Sequence, residues 1–169
     1  GAFLVAASDR IHFDSRPPQG EHSAENEIPF AQSALPASPL VVGLLGDHET
    51  ATVDALAAAL HQLSARKRIV VVASTDLLHD ASYDRVAATD RKTLAMIAAL
   101  DETGLKNAWS PREQVCCGIG PVLTLLEYAK MQGVESGILL KYRNSGDDHP
   151  ESRGSWVVGY GSVVFAVDE

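Results

Sequence analysis

Ile69-Val70-Val71-Val72-Ala73-Ser74-Thr75-Asp76-Leu77-Leu78-His79 is the stretch on which the reading of the fold turns. Its first five residues are apolar and mostly β-branched, too short a run for a helix, and they predict a strand at the centre of a parallel sheet covered by helices. A polar turn follows at once. In open α/β sheets ligands gather beyond the carboxyl ends of the strands, so Ser74 to His79 is the expected centre of a site. Asp76 and His79 stand three residues apart, and a carboxylate and an imidazole at that spacing can face one ligand or one metal ion. Equally, Asp76 can cap the next turn and His79 can satisfy a backbone carbonyl.

Upstream, Thr50 to Ser64 places Val53, Leu56, Ala57, Leu60 and Leu63 at helical spacing. This helix leads through Arg66-Lys67-Arg68, cations that suit a helix end. Leu40-Val41-Val42-Gly43-Leu44-Leu45 before it predicts another strand, so the local plan is strand, helix, strand. Downstream, a helix is expected over Asp84 to Leu100, with Val86, Leu94, Ile97 and Ala98 toward the core. Another is expected from near Gly118 to Gln132, stopped by Gly133. Gly137 to Tyr142 and Trp156 to Phe165 read as two strands flanking a polar loop, either antiparallel or at different edges of one sheet. At the start, Phe3 to Ala7 predicts a short buried strand and Ser8 to Gly20, with Pro17-Pro18, a loop. Glu21 to Ala34 predicts a short helix interrupted near Pro29. The expected architecture is α/β, a single domain over residues 1–169 built as three αβα layers around a central, mostly parallel sheet.

The chain has 169 residues, 46% of them apolar, enough for one substantial core, and a formal charge of -8. That charge argues against general affinity for nucleic acid or for anionic membrane surfaces, which need a positive face. The two cysteines, Cys116 and Cys117, are adjacent, a spacing that strains a mutual disulfide, so reduced thiols and a cytoplasmic location are expected. No apolar run approaches the roughly 18 residues a membrane helix needs, and Gly1 to Ala7 lacks the basic flank of a signal peptide. With no initiator Met and a strand-like opening run, sequence upstream of Gly1 is expected.

Three further clusters carry chemistry. In Glu21-His22-Ser23-Ala24-Glu25 a histidine between carboxylates can ligate a metal or act as a general base, or Ser23 can simply cap a helix that leaves His22 exposed. Cys117-Gly118 precedes a helix whose first N–H groups would favour a thiolate, making Cys117 a soft ligand or nucleophile. The alternative is a small buried hydrophobe, with Cys116 as the core member of the pair. Asn144-Ser145-Gly146-Asp147-Asp148-His149 offers oxygen ligands and a histidine, in a pattern that ordinary polar loops share. There is no Gly-x-Ser-x-Gly elbow, phosphate-binding glycine loop, His-Glu-x-x-His or paired Cys-x-x-Cys, which removes support from the common hydrolase, nucleotide and zinc readings.

Taken in order, Glu21 to Phe30, Ser74 to His79, Cys117-Gly118, Tyr142 to Asp147 and Val157-Val158-Gly159-Tyr160 resemble the Memo family, which includes the AmmeMemoRadiSam system protein B group. The resemblance implies a fold related to class III extradiol dioxygenases and a pocket that binds iron or copper for redox or oxygen chemistry on an unknown small molecule. It assigns that pocket to Asp76, His79 and Cys117, with His22 in the adjacent signature. His79 and Cys117, with Asp76, would be metal ligands, and Asp76 or His22 would orient a ligand or move a proton, as in a dioxygenase-like oxidoreductase. The alternative it implies is a non-catalytic binding or scaffold protein that partners a radical-SAM-linked system. A homo-oligomer, formed through an uncovered sheet edge, is a further expectation. The family's earlier Pro-His-Ala-Gly and Gly-Pro-Ser-His type motifs, which carry two metal-binding histidines, have no recognisable counterpart here. His12 follows the first apolar run, but its surroundings do not match. The resemblance therefore implies the C-terminal portion, or a short form, of the family fold.

Overall fold

A computed structural model describes residues 1–14 and 22–166. The expected Glu21 and the part of the expected Ser8 to Gly20 loop that includes Pro17-Pro18 lie outside the described residues. Seven α-helices, α1 (Ala2–Ala7), α2 (Ser23–Ala34), α3 (Thr50–Ser64), α4 (Tyr83–Ala98), α5 (Glu102–Ala108), α6 (Ile119–Met131) and α7 (Ser145–Asp148), are described, with strands β1 (His79–Asp80), β2 (Ile138–Asn144) and β3 (Val157–Val164). The protein is mixed α/β.

The helices follow their apolar spacing. α3 buries Val53, Ala57 and Ala59, and α6 buries Ile119, Val122, Leu123, Leu126 and Ala129. These faces meet each other and enclose Leu94, Ile97, Leu105 and Cys116, which makes the main core. Ser82 caps α4 by accepting from the Arg85 N–H at 3.3 Å, and Asp101 caps α5 by accepting from the Gly104 N–H at 2.8 Å. α4 stops two residues before the expected end because Leu100 turns into the left-handed region at φ 51°. Gly133 stops α6 as expected, taking φ 81°, where a glycine is unstrained.

The sheet departs from expectation. Its order is β1-β3-β2 and both pairings are antiparallel, His79 opposite Val158 and Tyr142 opposite Gly161. The expected central, mostly parallel sheet and its three layers are not formed among the described residues. Neither Leu40–Leu45 nor Ile69–Ala73 is a strand, and the backbone of both runs makes no hydrogen bond there. The physical reason is that β-branched sequence fits a strand but does not create one, since a ladder needs a neighbour on which to hang its N–H and C=O groups. Phe3–Ala7 is likewise helix rather than buried strand. With no strand beside it among the described residues, the helix Ala2–Ala7, which contains Leu4 and three alanines, follows its local propensity, and it lies against α3 with Phe3 under the Arg66 guanidinium at 4.8 Å.

Candidate functional site

Leu77 and Leu78 fix the position of everything around them. Successive side chains point to opposite sides, and here both sides are apolar: Leu77 enters the main core, while Leu78 packs with Val86 and Val157. The backbone between them is held to β3, the Leu77 N–H donating to the Gly159 carbonyl at 3.0 Å and the Gly159 N–H to the Leu78 carbonyl at 3.2 Å. A third bond comes from α4, where Asp90 Oδ1 accepts from the Leu78 N–H at 3.1 Å.

Asp90 is fully buried, and its Oδ2 accepts from the Tyr142 hydroxyl at 2.8 Å, which itself accepts from Asn144 Nδ2 at 3.3 Å. Burial pushes the Asp90 carboxyl above its ordinary range, opposed by the donors from Tyr142 and Leu78 and by the nearby His79 imidazole. Burial also raises the Tyr142 hydroxyl, and the Asp90 carboxylate adds to the effect. Gly159 must be glycine for this arrangement, because a Cβ there would lie 1.7 Å from Asp90 Oδ2. Asp90 and Tyr142 were absent from the sequence-based candidates. The available signal was a carboxylate at position 90 on the same helix face as Val86 and Leu94, since a charge at the centre of an apolar stripe requires a partner.

On the solvent side of this platform, His79 Nε2 lies 3.3 Å from Asp76 Oδ2, and the imidazole meets the Trp156 ring edge-on at 5.6 Å between centroids. The loop before α6 is joined to the same turn by four bonds, one of them between Thr75 Oγ1 and Cys117 Sγ at 3.5 Å. The Cys117 N–H donates to the Asp76 carbonyl at 3.1 Å, the Asp76 N–H to Cys117 Sγ at 3.3 Å, and the Gly118 N–H to Thr75 Oγ1 at 2.7 Å. Gly118 permits this approach, since a Cβ would come within 2.9 Å of Thr75 Cβ. The adjacent cysteines divide as their alternatives allowed: Cys116 is buried, its thiol pushed up to about 12 by burial, while Cys117 is exposed. A cavity of about 350 Å³ opens here, its lining including His79, Cys117, Trp156, Arg112 and Glu113. Arg85 also lines it and pairs with both Asp80 and Glu113.

A model of the Memo-like protein family matches residues 2–164. The chain belongs to the Memo family. Similar proteins include a MEMO1 family protein of Desulfurococcus amylolyticus, 32% identical over 173 residues, an alignment covering 99% of this chain and 59% of that protein. Another, from Sulfolobus acidocaldarius, is 34% identical over 165 residues, covering 96% and 57%. A third, from Methanopyrus kandleri, is 34% identical over 148 residues, covering 86% and 52%. The chain thus spans a little over half the length of the curated relatives it matches. No solved structure matches it significantly.

In this Memo protein the turn brings Asp76, His79 and Cys117 to one surface, and His22 stays apart. His22 Nδ1 is 2.6 Å from Glu25 Oε1, both side chains exposed, and no hydrogen bond joins it to Asp76, His79 or Cys117 among the described residues. α2 meets the turn at Ser74, whose hydroxyl lies within donating distance of the Ser23 carbonyl at 3.0 Å and of Glu27 Oε1 at 3.3 Å. The Asn144 to His149 stretch is not a ligand cluster. Asp147 accepts from the Asn144 N–H at 3.0 Å and from the Tyr83 hydroxyl at 2.6 Å, which holds its carboxyl below the usual range, while Asp148 pairs with Arg143 and His149 with Glu151.

The thiol and imidazole are chemically suited to iron or copper, but their placement is not. Among the described residues no three His, Cys, Asp or Glu side chains gather closely enough to hold a metal ion. His79 Nε2 is turned to Asp76, and Cys117 Sγ is turned to a backbone N–H. These residues as arranged do not by themselves fit the metal that the family resemblance implies. Among the described residues, no helix is long and apolar enough to cross a membrane.

Proposed function

We propose that this Memo protein binds a small molecule in the cavity beside β1, with His79 and Cys117 as the groups that meet it. The single observation that carries the reading is the presence of both side chains on the wall of one cavity of about 350 Å³. A carboxylate on one imidazole nitrogen orients the ring, which leaves the other nitrogen to accept or deliver a proton, so Asp76 is the orienting group and His79 the proton carrier. Iron- or copper-dependent redox chemistry of a dioxygenase-like kind belongs to this reading only where further donors join His79 and Cys117.

The test is metal analysis after anaerobic incubation with Fe(II) or Cu(I) and desalting, on the wild type and on Cys117→Ala combined with His79→Ala. Binding that the double variant loses supports the redox reading. Binding that it retains, or no binding at all, removes that reading. A second reading keeps the pocket without catalysis, in a binding partner of a radical-SAM-linked system; what favours the loss of catalysis is that no three metal-donor side chains gather among the described residues.

A further inference from the structure

We propose that the cavity beside β1 selects a small carboxylic acid with an apolar body, its carboxylate received by Arg112 and its carbon skeleton by Trp156. This selectivity rests on the reading above, that the cavity is a ligand site with His79 and Cys117 on its wall.

The turn that carries Arg112 is built in advance of any ligand. Ser110 and Glu113 close it, the Glu113 N–H donating to the Ser110 carbonyl at 3.0 Å and the Ser110 N–H to the Glu113 carbonyl at 3.1 Å. Pro111 takes the second position, where its fixed φ suits a turn, so Arg112 stands at the tip. The Trp109 indole N–H donates to the Cys116 carbonyl at 3.1 Å and ties the base of the turn to the backbone that leads into Cys117. A donor carried on a preformed turn loses less freedom when it meets a ligand.

The charges lining the cavity are unequally engaged. Arg85 spans Asp80 and Glu113, at 2.8 Å from the latter, so that this cation and both carboxylates satisfy one another. Arg112 is exposed and pairs with no carboxylate among the described residues. Its guanidinium meets a carboxylate through two parallel N–H donors, whereas a phosphate dianion would bring a second charge beside Asp80 and Glu113 with no cation to match it. Trp156, 59% exposed, presents its indole to the same cavity next to His79, and a carbon skeleton covers that surface better than a polar group does. A volume of about 350 Å³ lies at the small end of ligand cavities and sets the size of the acid.

The test reads Cys117, exposed on the cavity while Cys116 is buried, with two alkylating probes of nearly equal size, the anion iodoacetate and the neutral iodoacetamide. A chain of formal charge -8 disfavours the anionic probe at an ordinary exposed thiol. The expected result is an iodoacetate-to-iodoacetamide rate ratio at Cys117 about threefold or more above the ratio for β-mercaptoethanol, weakened by high salt and removed by Arg112→Gln. Butyrate is expected to slow labelling by iodoacetamide, while butyramide, and inorganic phosphate at equal ionic strength, leave it unchanged. Trp156→Ala is expected to weaken the butyrate effect. The proposal is overturned by a ratio at or below the reference, by a preference that survives Arg112→Gln, by phosphate protecting as well as butyrate, or by butyrate protection that Trp156→Ala leaves intact. Labelling by neither probe overturns the reading of Cys117 as a cavity group, and the proposal with it.

Discussion

Ile69–Ala73 and Leu77–Asp80 lie within a dozen residues of each other, and their physical conditions are opposite. Leu77 and Leu78 are buried on both sides, with backbone bonds to β3 and to Asp90. Val70 and Val72 are largely exposed and their backbone is unpaired. The first run has the stronger β signature, yet the second is the one that enters a sheet. The difference teaches that in this protein the partner, rather than propensity, makes the strand. The partner of Leu77–Asp80 is β3, held in place by Asp90 and by the absence of a side chain at Gly159.

Substitutions at four positions break or sharpen that contrast. The largest effect is expected at the core that anchors the paired run. Leu126 is fully buried, and Leu126→Ala should cost about 2–5 kcal/mol in urea unfolding, from lost burial and the cavity left behind. Next comes Asp90→Ala, which leaves the Leu78 N–H and the Tyr142 hydroxyl without their acceptor. Each orphaned group is worth about 1–3 kcal/mol, but removing a buried carboxylate returns part of that, and a net loss of about 1–3 kcal/mol is expected. Asp90→Asn keeps one acceptor and should cost less. The pH dependence has a definite sign. Since burial raises the folded-state value, the folded protein holds the proton more tightly, and stability falls as pH rises from the ordinary carboxylate range through the raised value. Unfolding followed across that interval should show a decline in the wild type that is absent in Asp90→Asn; equal slopes would sink the account of Asp90.

Gly159→Ala follows, at about 1–3 kcal/mol, because the new methyl meets the Asp90 carboxylate. In the Asp90→Ala background the obstacle is gone and the cost should shrink, a non-additivity that a double-mutant cycle reads directly. Additive costs would mean that the carboxylate is not what excludes a side chain at 159.

Much of the helical frame was legible in the sequence because helices are local. α3 begins and ends where its apolar spacing does, and α6 stops at Gly133. The parallel sheet was not legible, since Leu40–Leu45 and Ile69–Ala73 carry the composition of central strands but no residue in them reports whether a neighbour is present. At the candidate site, the position of Asp76 and His79 after an apolar run, and of Cys117 before a helix, marks them as candidates. The structure adds that the loop carrying Cys117 is tied to the turn carrying Asp76 and His79, through bonds with Thr75 and Asp76 that no spacing rule reveals. His22 looked equivalent in the sequence because an acidic neighbour is the same signal in either case. Its carboxylate turns out to be Glu25 on the exposed first turn of α2.

The smallest expected effect is the most discriminating. Val72→Ala removes a β-branched side chain from the run with the strongest strand signature, and were that run a buried central strand the cost would approach that of a core truncation. With Val72 64% exposed and no ladder to weaken, the isolated chain should change by no more than about 0.5 kcal/mol. A near-zero value would show that nothing among the described residues depends on a strand at residues 69–73. A large value in the isolated chain would place the partner within these 169 residues and remove the contrast between the two runs.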